Sequence, residues 1–524
     1  MAHTATRRRV LAGPACPAPA PTARPAPTLP PGLRAQARSR EFRMTPIATA
    51  RFLRLVSPLA AALVLAGCGS LMHTTYTTPA AELPAQWQAA AARAYGVEDA
   101  SQDPWWRSFG DAGLNALVDE VLRVNNDLAA ATLRVRRAQL QAGLAQSNMR
   151  PSFSAGADAS ARRNLGESSE RSESYGVSAG VSWEADLWGR LGSLRDAAAW
   201  NAVATEEDRQ ATALALVGTT MNLYWQAALL NERITVARQS IDYAQRTQDL
   251  VRGQYAAGAV SGLEVAESES TLANQQAALT QLIQQRVETL NALAILLDGP
   301  PSQDVPVPAS LPGANPPEVR AGVPAELLGR RPDVRAAEMR LRGTLANADA
   351  VRASYYPTLS LTGSLGTVSS ALSSVLQNPV AALGAGLVLP FLNWNQMQLN
   401  NAVSRNEYEE AVVNFRQMLY QAMGDVENTL SARGALADQT RYLQQSLASA
   451  QRAETLYEAQ YRAGAVPLRT WLDAQERRRQ AEIAVSQNRY SQYINQVALY
   501  QALGGDAIPA VVPSETLQAV RAPR

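Results

Sequence analysis

Few residues of this 524-residue chain could do bond-making chemistry. "GVSAG" at 176–180 matches Gly-x-Ser-x-Gly, the pattern of a serine nucleophile on a sharp strand-to-helix turn. Such a serine needs a histidine base, and the sequence holds two histidines, His3 and His73. With two cysteines, Cys16 and Cys68, the usual nitrogen and sulfur ligands of zinc are too few. No lysine occurs, which removes a Schiff-base amine and the lysine of a phosphate-binding loop. "LLGRRPDVRAAE" (327–338) gathers charge that could hold an anion, but Arg-Pro-Asp at a helix start reads better as a capped entry turn. A net charge of +2 leaves no electrostatic footprint for a nucleic acid. No catalytic residue, metal site or cofactor is expected, and the chain is not expected to be an enzyme.

Ser178 lies inside a strictly alternating stretch, "SYGVSAGVSWE" (174–184). Tyr175, Val177, Ala179, Val181 and Trp183 fall on one face of a strand, and Gly176, Ser178, Gly180 and Ser182 on the other. Three further stretches behave alike: 152–160, 357–366 and 381–390. Their lengths approach the ~9–11 residues of a tilted transmembrane strand. Tyr175, Trp183, Tyr355, Tyr356, Phe391 and Trp394 fall at or beyond strand ends, where interfacial aromatics belong. A half-buried soluble sheet would alternate too, but small Ser/Gly faces suit a water-filled lumen better than an outer surface. The apolar face is therefore expected to meet lipid. In lipid a sheet must close, and four strands are too few. Two copies would supply eight strands and three would supply twelve; alternation does not choose between them.

The strands sit between long helices, and the whole pattern occurs twice. "YAAGAVSGLEVAESES" from Tyr255 matches "YRAGAVPLRTWLDAQE" from Tyr461, an offset of 461 − 255 = 206. The same offset joins Pro151 to Pro357, Asp127 to Asp333 and Trp188 to Trp394. Leu223, Leu230, Ala237, Ala244 and Val251 recur every seven residues, with Ala227, Ile234, Ile241 and Tyr255 in the offset positions and Gln248 as a polar intrusion. That period predicts coiled-coil packing over a helix from Trp188 to Tyr255, about 100 Å long at ~1.5 Å per residue. The returning helix continues the seam through Val265, Leu272, Leu279 and Leu293. Gly258 and Gly464 mark the hairpin turns, with Ser261 and Pro467 opening the helices that return.

Seven segments follow from these patterns. Residues 1–43, with eight Pro and eight Arg, are expected to be an extension upstream of the true start at Met44. Residues 44–67 read as a signal peptide, 68–102 as a lipidated N-terminal segment, and 103–298 as the first repeat. A Pro-rich linker (299–325), the second repeat (326–504) and a tail (505–524) complete the chain. Leu65-Ala66-Gly67-Cys68 resembles the bacterial lipobox, which implies an acylated Cys68 at the mature N-terminus.

"DPWWRSFGDAGLNALVDEVL" (103–122), "WEADLWGRL" (183–191), "LLGRRPDVRAAEMRLR" (327–342) and "LDAQERRRQAE" (472–482) resemble the outer-membrane factors of tripartite efflux pumps, the TolC-like family. The likeness is to its NodT-type lipoprotein branch, which serves resistance-nodulation-division pumps. It departs at "NND" (125–127), where the family more often has Asn-Pro-Asp; a softer local turn is expected there. The resemblance implies a mainly α protomer with four barrel strands, and a homotrimer forming a twelve-strand β-barrel in the outer membrane and a twelve-helix periplasmic tunnel. It implies a passive exit duct for drugs or other small molecules, with outer-membrane lipid, a periplasmic adaptor and an inner-membrane transporter as partners. An exit duct for a type I protein or peptide secretion system is the alternative; a periplasmic coiled-coil lipoprotein that crosses no membrane fits the alternating strands poorly. The resemblance also assigns adaptor docking to the tip residues Gly258, Val260, Gly464 and Val466, and a periplasmic gate to Glu458 and Arg462.

Overall fold

The computed structural model describes residues 72–82, 84, 87–88, 104–163, 171–301, 303–317 and 327–505. Cys68, the signal peptide, the extension 1–43 and nearly all of the tail lie outside these residues. A 3-10 turn (Trp105–Phe109) leads into α1 (Ala112–Val124) and α2 (Asn126–Ser147), then β1 (Ser152–Arg163) and β2 (Arg171–Ala185). A hairpin of α3 (Arg190–Ala256) and α4 (Gly262–Leu296) follows. After the linker come α5 (Leu327–Arg330), α6 (Pro332–Ala353), β3 (Thr358–Ser369), β4 (Val380–Val388), and a second hairpin, α7 (Trp394–Arg462) and α8 (Leu468–Ala502). The 206-residue offset recurs in the element bounds: α2 maps onto α6 and α4 onto α8 at both ends (332 − 126, 353 − 147, 468 − 262 and 502 − 296 all give 206).

The sheet is antiparallel throughout in the order β1-β2-β3-β4. Beneath it the helices lie in a matching order, α2 against α3, α3 against α6 and α6 against α7. Each strand is thus continuous in sequence with the helix beneath it. Toward the far end α2 and α6 give way to α4 and α8, which pack on the lower parts of α3 and α7. The two repeats interlock where Arg335 of α6 reaches Glu207 (2.7 Å) and Gln210 (2.8 Å) of α3, with Arg340 paired to Asp208 beside it.

Three apolar clusters hold this frame. Around the waist, Trp105, Trp106, Leu114, Met221, Trp225, Leu293, Tyr493 and Val497 form the largest. A second joins Val334, Leu341, Phe415, Leu419, Leu430 and Leu499, with Trp87 inserted from the N-terminal segment. The third lies at the hairpin ends, where Val251, Tyr461, Leu468 and Trp471 meet. The heptad seam is largely buried, as at Ala227, Leu230, Ala244 and Val251, but Tyr255 is exposed. Gln248 is buried despite its polarity, next to buried Thr247.

The entry to α2 differs from its expected soft turn. Asn125 caps the helix, its side chain accepting from the N–H groups of Asp127 (2.9 Å) and Leu128 (3.2 Å). Its amide also donates to the Leu296 carbonyl at 3.0 Å, tying α2 to the end of α4. In the second repeat the equivalent residue is Arg331, which makes no cap bond. Pro332 opens that helix instead, and the Arg331 guanidinium bridges Asp333 (2.7 Å) and Asp425 (3.1 Å). The charged stretch is an ion-paired helix entry and not an open anion site.

Candidate functional site: the two-faced sheet and the hairpin tips

Cross-strand register decides whether four alternating strands make one consistent wall. Phe153, Val181, Gly363 and Leu383 are successive partners across the sheet, as are Ala155, Ala179, Leu365 and Ala381. The intervening row is Ser154, Gly180, Ser364 and Ala382, and the next Ser152, Ser182, Thr362 and Gly384. The apolar residues therefore share one face, and the small polar residues, with Asp158 and Glu184, share the other. Val368, Val380 and Val388 are the apolar exceptions on the small face. Phe153 is 83% and Leu383 95% exposed in the single chain, so among the described residues nothing covers the apolar face at these two positions. Among the described residues β1 and β4 each lack a partner on their outer side. Ser178 sits mid-strand opposite Gly156 and Gly366, with no strand-to-helix turn that could make it a nucleophile.

An aromatic foot joins sheet to helices. The Trp183 indole N–H donates to the Met149 carbonyl (3.0 Å), and that of Trp188 to the Pro357 carbonyl (2.8 Å). The Trp188 ring lies 4.9 Å from that of Tyr356. Among the described residues no helix is long and apolar enough to cross a membrane.

At the opposite end the two hairpin turns have the same backbone. Gly258 and Gly464 adopt φ of 71° and 72°, the left-handed region that a β-branched residue enters only at a cost. Ala259 N–H donates to Gln254 O and Ala465 N–H to Gln460 O, each at 2.9 Å, so both helices end in the same six-to-one bond. Ser261 and Glu264 cap the start of α4 reciprocally, while Pro467 sits just before α8 begins. Val260 and Val466 are half-buried against the tip cluster, while Ala257, Gly258 and Ala259, and likewise Ala463, Gly464 and Ala465, are exposed at the turns.

Glu458 and Arg462 are ion-paired at 2.6 Å, with Arg462 65% exposed. The contact from Tyr243, whose hydroxyl donates to the other Glu458 oxygen at 3.2 Å, was not evident in the sequence because it crosses from α3 to α7. Burial pushes the Tyr243 hydroxyl up to about 12, with Glu458 and Glu454 adding to the shift. One turn earlier, buried Glu454 pairs with Arg478 of α8 at 2.5 Å, and Arg478 pairs with Glu482 at 3.0 Å. Burial raises the Glu454 carboxyl above the usual range despite that guanidinium. The candidate gate pair is thus one edge of a charged layer spanning three helices.

The profile of the outer membrane efflux protein family matches the chain twice, over residues 117–299 and 323–505, again 206 apart (323 − 117 and 505 − 299). The pyoverdine export outer membrane protein OpmQ of Pseudomonas putida is 36% identical over 80% of this chain and 92% of its own length. The cation efflux system protein CusC of Escherichia coli O157:H7 is 29% identical over 86% of this chain and 98% of its own. The crystal structure of the open state of the Neisseria gonorrhoeae MtrE outer membrane channel superposes with a TM-score of 0.71 at 28% identity, covering 83% of this chain and 98% of that one.

Proposed function

The chain belongs to the outer membrane efflux protein family, as a channel and not an enzyme, and from that premise we propose that it is the passive exit duct of a tripartite efflux pump. The register-matched, two-faced sheet, open at both edges, carries the reading. Unpaired backbone is excluded from hydrocarbon, so β1 must pair with β4 of another copy. The helices below support the same head-to-tail contact. Exposed Leu133, Leu140 and Leu144 line α2 under β1, and under β4 exposed Leu392, in the turn before α7, is followed by exposed Leu399 and Val403 on α7, with identical spacings of seven and four. A heterologous contact between two such stripes closes into a ring when the rotation allows. Three copies would give a twelve-strand barrel over a twelve-helix tunnel.

Cys68 is proposed to carry the covalent lipid, and the turns at Gly258 and Gly464, with Val260 and Val466 bracing them, to receive a periplasmic adaptor. With no phosphate-binding loop in the sequence, the energy is proposed to come from an inner-membrane partner, and the likeness to the NodT-type branch favours a resistance-nodulation-division transporter. Pyoverdine export and cation efflux are named for the two relatives, so likeness of the duct leaves its cargo open. Planar-bilayer recording tests the duct: the purified protein should form ion-conducting pores without ATP. Deleting the gene should sensitise cells to the substrates of the pump it serves. A protein that inserts in no bilayer, or a deletion that changes no susceptibility, would overturn the reading.

A further inference from the structure

The N-terminal segment is not a loose leader to the helices. Asp349 of α6 is 1% exposed, and a carboxylate buried so deeply must be compensated. Thr74 compensates it at both oxygens: its N–H donates to Oδ2 (2.7 Å) and its hydroxyl to Oδ1 (2.6 Å). The His73 ring lies 3.5 Å from Asp349 and 3.4 Å from Asp196 of α3, and Arg352 stands 3.5 Å away on the same helix as Asp349. Two turns down α6, Arg342 lies 4.5 Å above the Tyr76 ring and 5.2 Å from that of Trp200. Tyr76 also donates to Glu338 at 3.4 Å. Further along, Trp87 is buried in the second cluster and Gln88 N–H donates to Glu427 at 3.1 Å. Positions 349, 342 and 338 share one face of α6, so the segment descends that face as a strap.

Asp349 lies four residues before α6 ends and nine before β3 begins, at the level of the aromatic foot. Thr74 is six steps from Cys68, a reach of at most about 20 Å. We propose that Asp349 is the positioning residue of the lipid anchor: by holding His73 and Thr74 at the foot of the sheet, it fixes where acyl chains on Cys68 enter the bilayer. The proposal rests on the reading that Cys68 is acylated, but the latch itself does not. Without the two Thr74 bonds, buried Asp349 would keep only the longer contacts to His73 and Arg352, each 3.5 Å.

Hydrogen exchange on the full-length protein in detergent tests the latch, with the intact mass measured alongside. In the wild type the Thr74 amide should be protected. Asp349→Asn should speed its exchange about ten- to hundredfold, the loss expected for a hydrogen bond to a charged acceptor, while the Gln88 amide and the helices keep their protection. If Asp349→Asn disturbs α6, Thr74→Val removes the hydroxyl from the strap side, and Thr74→Ser should restore protection. A nitroxide on Ser70→Cys should give a restrained spectrum in the wild type and a mobile one in Asp349→Asn. Unchanged exchange in both variants, or a label already mobile in the wild type, overturns the proposal. A mass lacking lipid with Thr74 still protected would instead overturn the acylation of Cys68 and leave the latch standing.

Discussion

Single residues at the tips carry two separable predictions. Gly464 sits at φ 72° with open space around it, so a side chain there would meet backbone strain and no steric clash. Gly464→Val should cost on the order of 1–3 kcal/mol locally and distort the exposed turn. Pump-dependent resistance should fall while oligomers of wild-type size still form, as gel filtration and susceptibility assays would show. Intact resistance would remove the turn from adaptor docking. Glu458 is half-buried but its partner Arg462 is exposed, so the pair's own stabilisation is small and replacing both by Ala should leave the fold intact. If they close the tunnel, single-channel conductance should rise, and Tyr243→Phe, which removes the second contact on Glu458, should raise it less. Equal conductance in the double variant would place the constriction elsewhere.

Among the elements, helix entries show what could be read in advance and what could not. The strands were legible because a sheet with one apolar and one polar face imposes a period of two, and the register then put Phe153, Val181 and Leu383 in one row. The hairpin turns were legible because a left-handed helix end favours glycine. At "NND" family habit pointed to a softer turn because Asn126 stands where the family more often has proline, but the Asn125 side chain caps the helix and fixes its entry. Asn125→Ala should therefore destabilise by about 1 kcal/mol or more, measured as a fall in thermal midpoint, since it loses both the cap and the bond to Leu296. The strap along α6 was illegible: "HTTYTTPA" (73–80) has no period, and its docking depends on Asp349, Arg342 and Glu338, more than 250 residues away. The Arg331 entry predicts a pH dependence. Burial alone would raise the Asp333 carboxyl, but the Arg331 guanidinium outweighs it and holds the group below the usual carboxylate range. Its stabilisation is thus present above the unfolded carboxylate's titration and lost as pH falls through the lowered folded value. Asp333→Asn should flatten the acid limb of a stability–pH curve below about pH 4 and leave the neutral region offset by a constant amount.

For the whole molecule, the assignment of lipid to one face of the sheet and water to the other can be tested on two neighbouring residues. Leu383 and Ala382 follow one another on β4, yet their partners across the sheet are Gly363 and Ser364, on opposite faces. In a closed barrel Leu383→Arg would put a guanidinium into hydrocarbon, at about 2–4 kcal/mol per copy near the midplane, multiplied by every copy in the ring. That variant should be lost from outer-membrane fractions and should not restore resistance to a deletion strain. Ala382→Arg would place the same charge in the lumen, where it remains hydrated. It should reach the membrane in normal amounts and shift the pore's ion selectivity toward anions, read as a change in reversal potential under a salt gradient. Because β4 is an edge strand of the protomer, the proposed pairing with a neighbouring copy would be the same for both variants, and only the direction of the side chain differs. If both are tolerated, the sheet does not lie in lipid. If both are lost, the small-residue face is packed rather than wet, and the duct through the sheet would have to be abandoned.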